Sequence, residues 1–180
     1  MKAIKAYTIQ FVGLKEGKHH FDYHINNTFF SEYNYDEFND ANLKVNLLFE
    51  KKSTLLELGF SVSGSLNVNC DVSNEPFNLD IEDDFKLVVK FGEDYNDDNE
   101  EILIIPHGEY QINVAQYIYE LIVLAVPAKK VHPGIKNGTL KSDILSKLEA
   151  LSPEEQTKEE KDSEETDSRW DKLKKLLTDK

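Results

Sequence analysis

The sequence predicts an α+β fold: a curved antiparallel β-sheet or partly open barrel packed on one main helix, with a flexible C-terminal tail ending in a short helix. Three observations predict it. Apolar residues recur at every second position through much of the first 110 residues, the period of strands with one buried face. One segment alone, Ile112 to Val126, carries a long and almost wholly apolar helical pattern. From 152 to 167 there is no aliphatic or aromatic side chain, a composition that cannot offset the entropy of ordering. The chain therefore divides into a β-rich folded domain over 1–151, a disordered acidic linker over 152–167 and a short amphipathic helix over 168–178.

Tyr7, Ile9 and Phe11 alternate with Thr8 and Gln10. After a turn bracketed by Gly13 and Gly17, the alternation returns in Phe21, Tyr23 and Ile25 on a partner strand. Asn27 to Tyr35, with Phe29 and Phe30 adjacent, suits a short helix. Leu43, Val45, Leu47 and Phe49 alternate cleanly, Lys51-Lys52-Ser53 makes a turn, and Leu56, Leu58, Phe60 and Val62 return. That is a hairpin signal. Gly64 reads as a break. Leu66 and Val68 then lead into Cys70 and a run of turn formers up to Pro76. Phe77, Leu79 and Ile81 mark a further strand, and Phe85 to Phe91 another. Gly92 to Glu101, whose only large apolar side chain is Tyr95, reads as an exposed acidic loop before a strand from Ile102 to Ile105.

The main helix has its own punctuation. Asn113 suits the N-cap, Gln116 stands three residues on to close a capping box, and Ile112 can staple onto Tyr117. Val114, Ile118, Leu121, Ile122 and Ala125 form an apolar face against a polar stripe of Gln116 and Glu120, so the helix should be largely buried. Pro127 ends it. Ser142 to Ala150 suits another short helix with Ile144, Leu145 and Leu148 inward. Beyond the linker, Ser168 can cap a helix that places Trp170, Leu173 and Leu177 on one face, with Lys174 and Lys175 complementing the dipole in the last turn.

Charge narrows the function. The 180 residues carry a net −13, and 71–109 alone holds thirteen acidic side chains against Lys86 and Lys90, a local −11. Such a face repels phosphate backbones and attracts basic proteins. The main cationic counterweights are a patch of Lys129, Lys130, Lys136 and Lys141 and the lysines of the tail. Cys70 is the single cysteine, so neither an intramolecular disulfide nor a cysteine-rich metal cluster can form. The first residues alternate without an apolar run, and the longest apolar stretch is too short to span a bilayer. The expected address is cytoplasmic, with no membrane partner.

No enzyme signature emerges. Gly59 and Gly64 do not make a phosphate loop, and there is no nucleophile elbow. His20 and His24 share a strand face but stand about 13 Å apart by strand rise, too far for joint metal ligation. Cys70 with His132 is the sharper pair, since both lie in turns beside buried elements. A zinc site needs three or four protein ligands and only carboxylates remain to complete one, so an inert, packed Cys70 is the expectation. Glu82-Asp83-Asp84 and Asp97-Asp98 lack the ligand spacing and glycine of a calcium loop. No metal or cofactor is expected. The tail is different, because about ten residues of isolated helix are marginal in water. A tethered face of Trp170, Leu173 and Leu177 beside Arg169 makes sense as a docking element, either on its own domain or in a partner's groove.

Three stretches together resemble the YceD family of large ribosomal RNA subunit accumulation proteins. Cys70 to Phe77, with Glu75 and Pro76, is similar to the family's C-x-x-C-x-x-P turn. Ile112 to Pro127 is similar to its helix ending in a leucine-alanine-leucine-proline run, and Ser168 to Leu173 to its D-P-R-W-x-x-L terminus. The likeness covers roughly residues 43–178. Ser73 stands where many members have a second cysteine, and His132 near where some carry another; Ser168 replaces the proline before Arg169-Trp170. The resemblance implies a non-enzymatic ribosome-biogenesis factor supporting accumulation of large-subunit ribosomal RNA. The acidic charge makes a basic ribosomal or assembly protein the expected partner. The alternatives are direct binding of precursor ribosomal RNA through the Lys129–Lys141 patch and, more remotely, a metal-dependent enzyme using Cys70 and His132.

Overall fold

The alternating segments assemble into two sheets. In this computed structural model, residues 4–140 and 143–151 are described. The chain divides after Leu145, and the unit up to that residue holds both sheets. The larger has six strands: β2 (Gly17–Ile25), β3 (Asp40–Lys51), β4 (Leu55–Asn69), β5 (Pro76–Gly92), β6 (Asn96–Asn99) and β7 (Ile102–Pro106), in the order β2-β3-β4-β5-β7-β6. The smaller pairs β1 (Thr8–Ile9) with β8 (Ile112–Asn113). The fold is mixed α+β, and neither sheet is closed. A barrel would need the edges β2 and β6 to pair, and β6 is four residues long and exposed throughout.

Four differences from the sequence reading have physical reasons. First, the opening strand shrinks to two residues and pairs with β8 rather than with β2, while Ile4–Tyr7 forms a 3-10 turn. The loop after β1 is pinned to β3, where Lys51 Nζ donates to the carbonyls of Phe11 and Leu14 at 2.9 and 2.8 Å. Second, Gly64 does not break β4. It takes φ +141°, and a Cβ there would lie 2.4 Å from the Asn42 carbonyl oxygen, so glycine lets β3 and β4 stay in register. Third, the two segments from Phe77 to Phe91 are one 17-residue strand. The acidic run Glu82-Asp83-Asp84 interrupts the apolar alternation but not the ladder, facing Ser63, Val62 and Ser61 of β4. Fourth, the sheet is not wholly antiparallel. β6 forms within the predicted acidic loop, and β7 then inserts between β6 and β5, parallel to β5.

Period-two burial is cleanest in the centre. Leu43, Val45, Leu47 and Phe49 of β3, and Leu56, Leu58, Phe60 and Val62 of β4, are each no more than 1% exposed. Over this face lies α2 (Ala115–Ala125), which packs on β4 and β5 and buries Ala115, Ile118, Leu121 and Ile122. It starts later than predicted: Val114 is its N-cap, yet the Asn113 side chain still accepts from the Ala115 N–H at 2.9 Å. Gln116 donates its amide to Glu120 at 2.6 Å. The first helix, α1 (Asn27–Ser31), is shorter than expected, since Asn34 at φ +53° turns the chain out of it. Phe29 and Phe30 of α1 are buried, and Tyr33 stacks on Tyr119 of α2 with ring centroids 4.3 Å apart. After α2 come α3 (Pro133–Lys136) and α4 (Asp143–Leu151). Ile144 is exposed rather than inward, at 44%, while Leu145 is half-buried. Neighbours on a helix point about 100° apart, so one narrow face does not take both.

Candidate functional site

Between α2, β5 and the acidic β6 segment opens a cleft of about 820 Å³. Its floor follows from the alternation of β5 and β7: Phe85, Leu87 and Leu103 point to the side that α2 covers. Its rim is acidic. Asp83 falls on the same phase of β5 as Ile81 and Phe85, yet it is exposed, and at that position the sheet face changes from aliphatic to charged. Asp97, Glu100 and Glu120 join Asp83 along this rim, Asp84 lines it from the opposite phase of β5, and among the described residues no lysine, arginine or histidine lines the cleft. Tyr117 of α2 lies over Phe85 and Phe60, with ring centroids 6.5 and 6.3 Å away. Burial pushes its hydroxyl up to about 12, and the negative fields of Tyr95, Asp97 and Glu120 add to the rise. Two apolar side chains remain in solvent at the mouth, Leu124 at 79% and Tyr95 at 58% exposure.

The predicted Cys70 turn is a built feature at the far end of β4. The Asn74 N–H donates to the Cys70 carbonyl at 2.8 Å and the Cys70 N–H to that of Glu75 at 2.9 Å, with Asn74 at φ +58°. The loop before α3 is stitched to it. Asp71 N–H donates to the Lys130 carbonyl at 2.8 Å, and Lys130 N–H returns a bond to the Asp71 carboxylate at 2.5 Å. Cys70 and His132, paired in the sequence as turn residues beside buried elements, do meet: the His132 backbone N–H donates to Sγ at 3.3 Å, and the Val72 N–H at 3.4 Å. Burial pushes the Cys70 thiol up, but hydrogen bonds from the Ser73 hydroxyl and from the N–H groups of His132, Ser73 and Val72 outweigh it and bring it down to about 7. The imidazole itself makes other contacts. Its Nδ1 accepts from the Gly134 N–H at 2.9 Å and its ring packs edge-on against Phe77. Among the described residues no group of three or more histidine, cysteine or acidic side chains is placed to hold a metal ion. The arrangement is a docked turn, with the sulfur as acceptor.

The lysine patch is only partly drawn together. Lys129 is exposed, whereas Lys130 Nζ lies 3.8 Å from Glu37 and its backbone is tied to Asp71. The Lys136 side chain and Lys141 lie outside the described residues, as do Arg169, Trp170, Leu173 and Leu177. His20 and His24 sit exposed on the edge strand β2, and His19 bonds the Lys15 carbonyl at 2.8 Å. No described helix is long and apolar enough to cross a membrane. The cleft escaped the sequence reading. Its one legible signal is Leu124, a leucine on the same stripe of α2 as Gln116 and Glu120.

The family model for large ribosomal RNA subunit accumulation protein YceD matches residues 58–177, about two thirds of the chain. The chain belongs to the YceD family. The resemblance carried by the Cys70 turn, the α2 segment and the terminal motif is thereby borne out. The YceD match begins inside β4 and continues through β5, β6, β7 and α2, so it takes in both the cleft and the Cys70 turn. The YceD description names an accumulation role for large-subunit ribosomal RNA and no reaction. No curated protein and no solved structure matches the chain.

Proposed function

We propose that this YceD protein is a non-enzymatic ribosome-biogenesis factor that supports accumulation of large-subunit ribosomal RNA by binding a basic ribosomal or assembly protein. The observation that carries this reading is the placement of the acid. Acidic residues of β5, the β6 segment and α2 line an apolar floor with no basic neighbour among the described residues, and all but Glu120 belong to the 71–109 segment, whose net charge is −11. Phosphate backbones are repelled by such a surface, and basic proteins are drawn to it and oriented by it. Direct RNA binding through the lysine patch is less well supported, because the Lys130 ammonium already lies 3.8 Å from the Glu37 carboxylate.

The terminal segment 168–178 is the second part of the proposal, as a docking element built on Arg169, Trp170, Leu173 and Leu177. Capture with the tagged full-length chain after nuclease treatment, with mass spectrometry of what is retained, tests both parts. Retention of defined basic ribosomal or assembly proteins is the expected result. A chain ending at Leu151 should lose some of them, and an identical partner list from both chains sinks the docking role of the tail. Loss of every protein on nuclease treatment, with RNA binding abolished by Lys129→Glu and Lys130→Glu, overturns the protein-partner reading.

A further inference from the structure

We propose that the cleft between α2 and β5 is the docking site for a lysine- and arginine-rich segment of the partner protein, seated by an aliphatic anchor. The proposal rests on the protein-partner reading above and supplies the surface and the chemistry of its occupant.

Three features argue for that occupant. The floor of Phe85, Leu87 and Leu103 continues outward to Leu124, which stands 79% exposed at the mouth, so an apolar surface runs from the buried sheet into solvent. An apolar anchor entering there would cover Leu124 and the half-buried Phe85, above a floor whose Leu87 and Leu103 are already dry, and such cover is the main source of affinity in grooves of this kind. Carboxylates stand on both flanks, Asp83 on β5 and Asp97 and Glu100 on the β6 segment, with Glu120 on the helix. With no cation among the described lining residues, these charges repel one another until one is supplied. A nucleic acid would bring phosphates to that rim and is disfavoured by it. A free cation is a poor fit, since it would leave Phe85 and Leu124 uncovered. The occupant that satisfies floor and rim together is a basic segment with an aliphatic side chain between its charges.

The test uses the full-length chain and a labelled synthetic amphipathic peptide of leucine and lysine. Binding is followed by anisotropy, with the urea midpoint of each variant as the check on folding. Leu124→Ser and the double variant Asp97→Lys with Glu120→Lys, all at exposed positions, should each weaken the peptide about tenfold. Peptides with serine for leucine, or glutamate for lysine, should bind weakly to the unaltered chain. The glutamate peptide should gain affinity for the charge-reversed variant. Unchanged peptide affinity in folded variants overturns the proposal. So does a gain of about tenfold on replacing Trp170 and Leu173 by serine, which would make the chain's own terminal segment the occupant. A dimer abolished by Leu124→Ser would assign the cleft to a second copy and overturn it as well. The two readings separate in the capture experiment. Basic partners retained equally by Leu124→Ser would remove the cleft and leave the protein-partner reading standing, whereas no protein retained by the unaltered chain removes both.

Discussion

Cys70 shows how far residue type carries an inference. A lone cysteine and a distant histidine suggested proximity, and the backbone provides it, yet the partner of the sulfur is the His132 N–H rather than the imidazole. Sequence could not distinguish these, because a backbone donor is present at every position and only the loop's path selects one. The consequence is a titration. The thiol falls from its ordinary 9.0 to about 7, so the folded state favours thiolate. A depressed acid stabilises the fold fully above its unfolded value and loses that contribution as pH falls from 9.0 through about 7. Two pH units correspond to at most roughly 3 kcal/mol. The urea midpoint of the natural chain should therefore rise from pH 7 to pH 9 relative to that of Cys70→Ser. Thiolate absorbance should titrate near 7 when folded, and Ser73→Ala should move it upward. A midpoint that stays at the unfolded value would remove the sulfur's acceptor role. At the cleft, Asp83 was legible as acid but not as a wall: its phase on β5 needed the strand to be continuous, and the acidic run itself hid that continuity.

At the scale of elements, what was legible was local. The β3–β4 hairpin declares itself by clean alternation across a short polar turn, and α2 by an apolar face wider than any surface helix needs. What was hidden depends on chain segments meeting from far apart. The β1–β8 ladder joins residues about a hundred positions apart, and β7 enters parallel beside β5 only because β6 turns back first. Gly64 was misread for a related reason, since a glycine in a strand marks a break or a close approach, and the neighbouring strand decides which. The Asn42 carbonyl decides it here. Gly64→Ala should cost at least about 2 kcal/mol, from a left-handed backbone and a direct clash, measured by the urea midpoint. Gly59→Ala in the same strand would place its Cβ 3.9 Å from the Leu48 oxygen and should change stability by less than about 1 kcal/mol. On α2, Ile118→Ala removes a wholly buried side chain and should cost about 2–5 kcal/mol. Leu124→Ala should shift stability by no more than about 0.5 kcal/mol, which leaves that leucine available to function.

Over the whole molecule, charge and fold act on each other. A net −13 spread evenly would give a diffuse field, but 71–109 concentrates −11 in and around β5 and β6, strands that flank the cleft. The field should therefore speed encounter with a basic partner more than it strengthens the bound complex. Salt separates the two. The screening length is about 10 Å at 0.1 M ionic strength and about 3 Å at 1 M, so the association rate with a captured basic protein should fall about tenfold across that range. The dissociation rate, governed by the apolar floor, should change far less. Stopped-flow mixing with one purified partner measures both. Replacing Glu100 and Glu101 by glutamine should lower the association rate and its salt dependence without creating affinity for protein-free large-subunit RNA. If neutralising those two side chains instead lets the chain bind that RNA tightly, the acid was masking an RNA surface, and the molecule works on the nucleic acid directly.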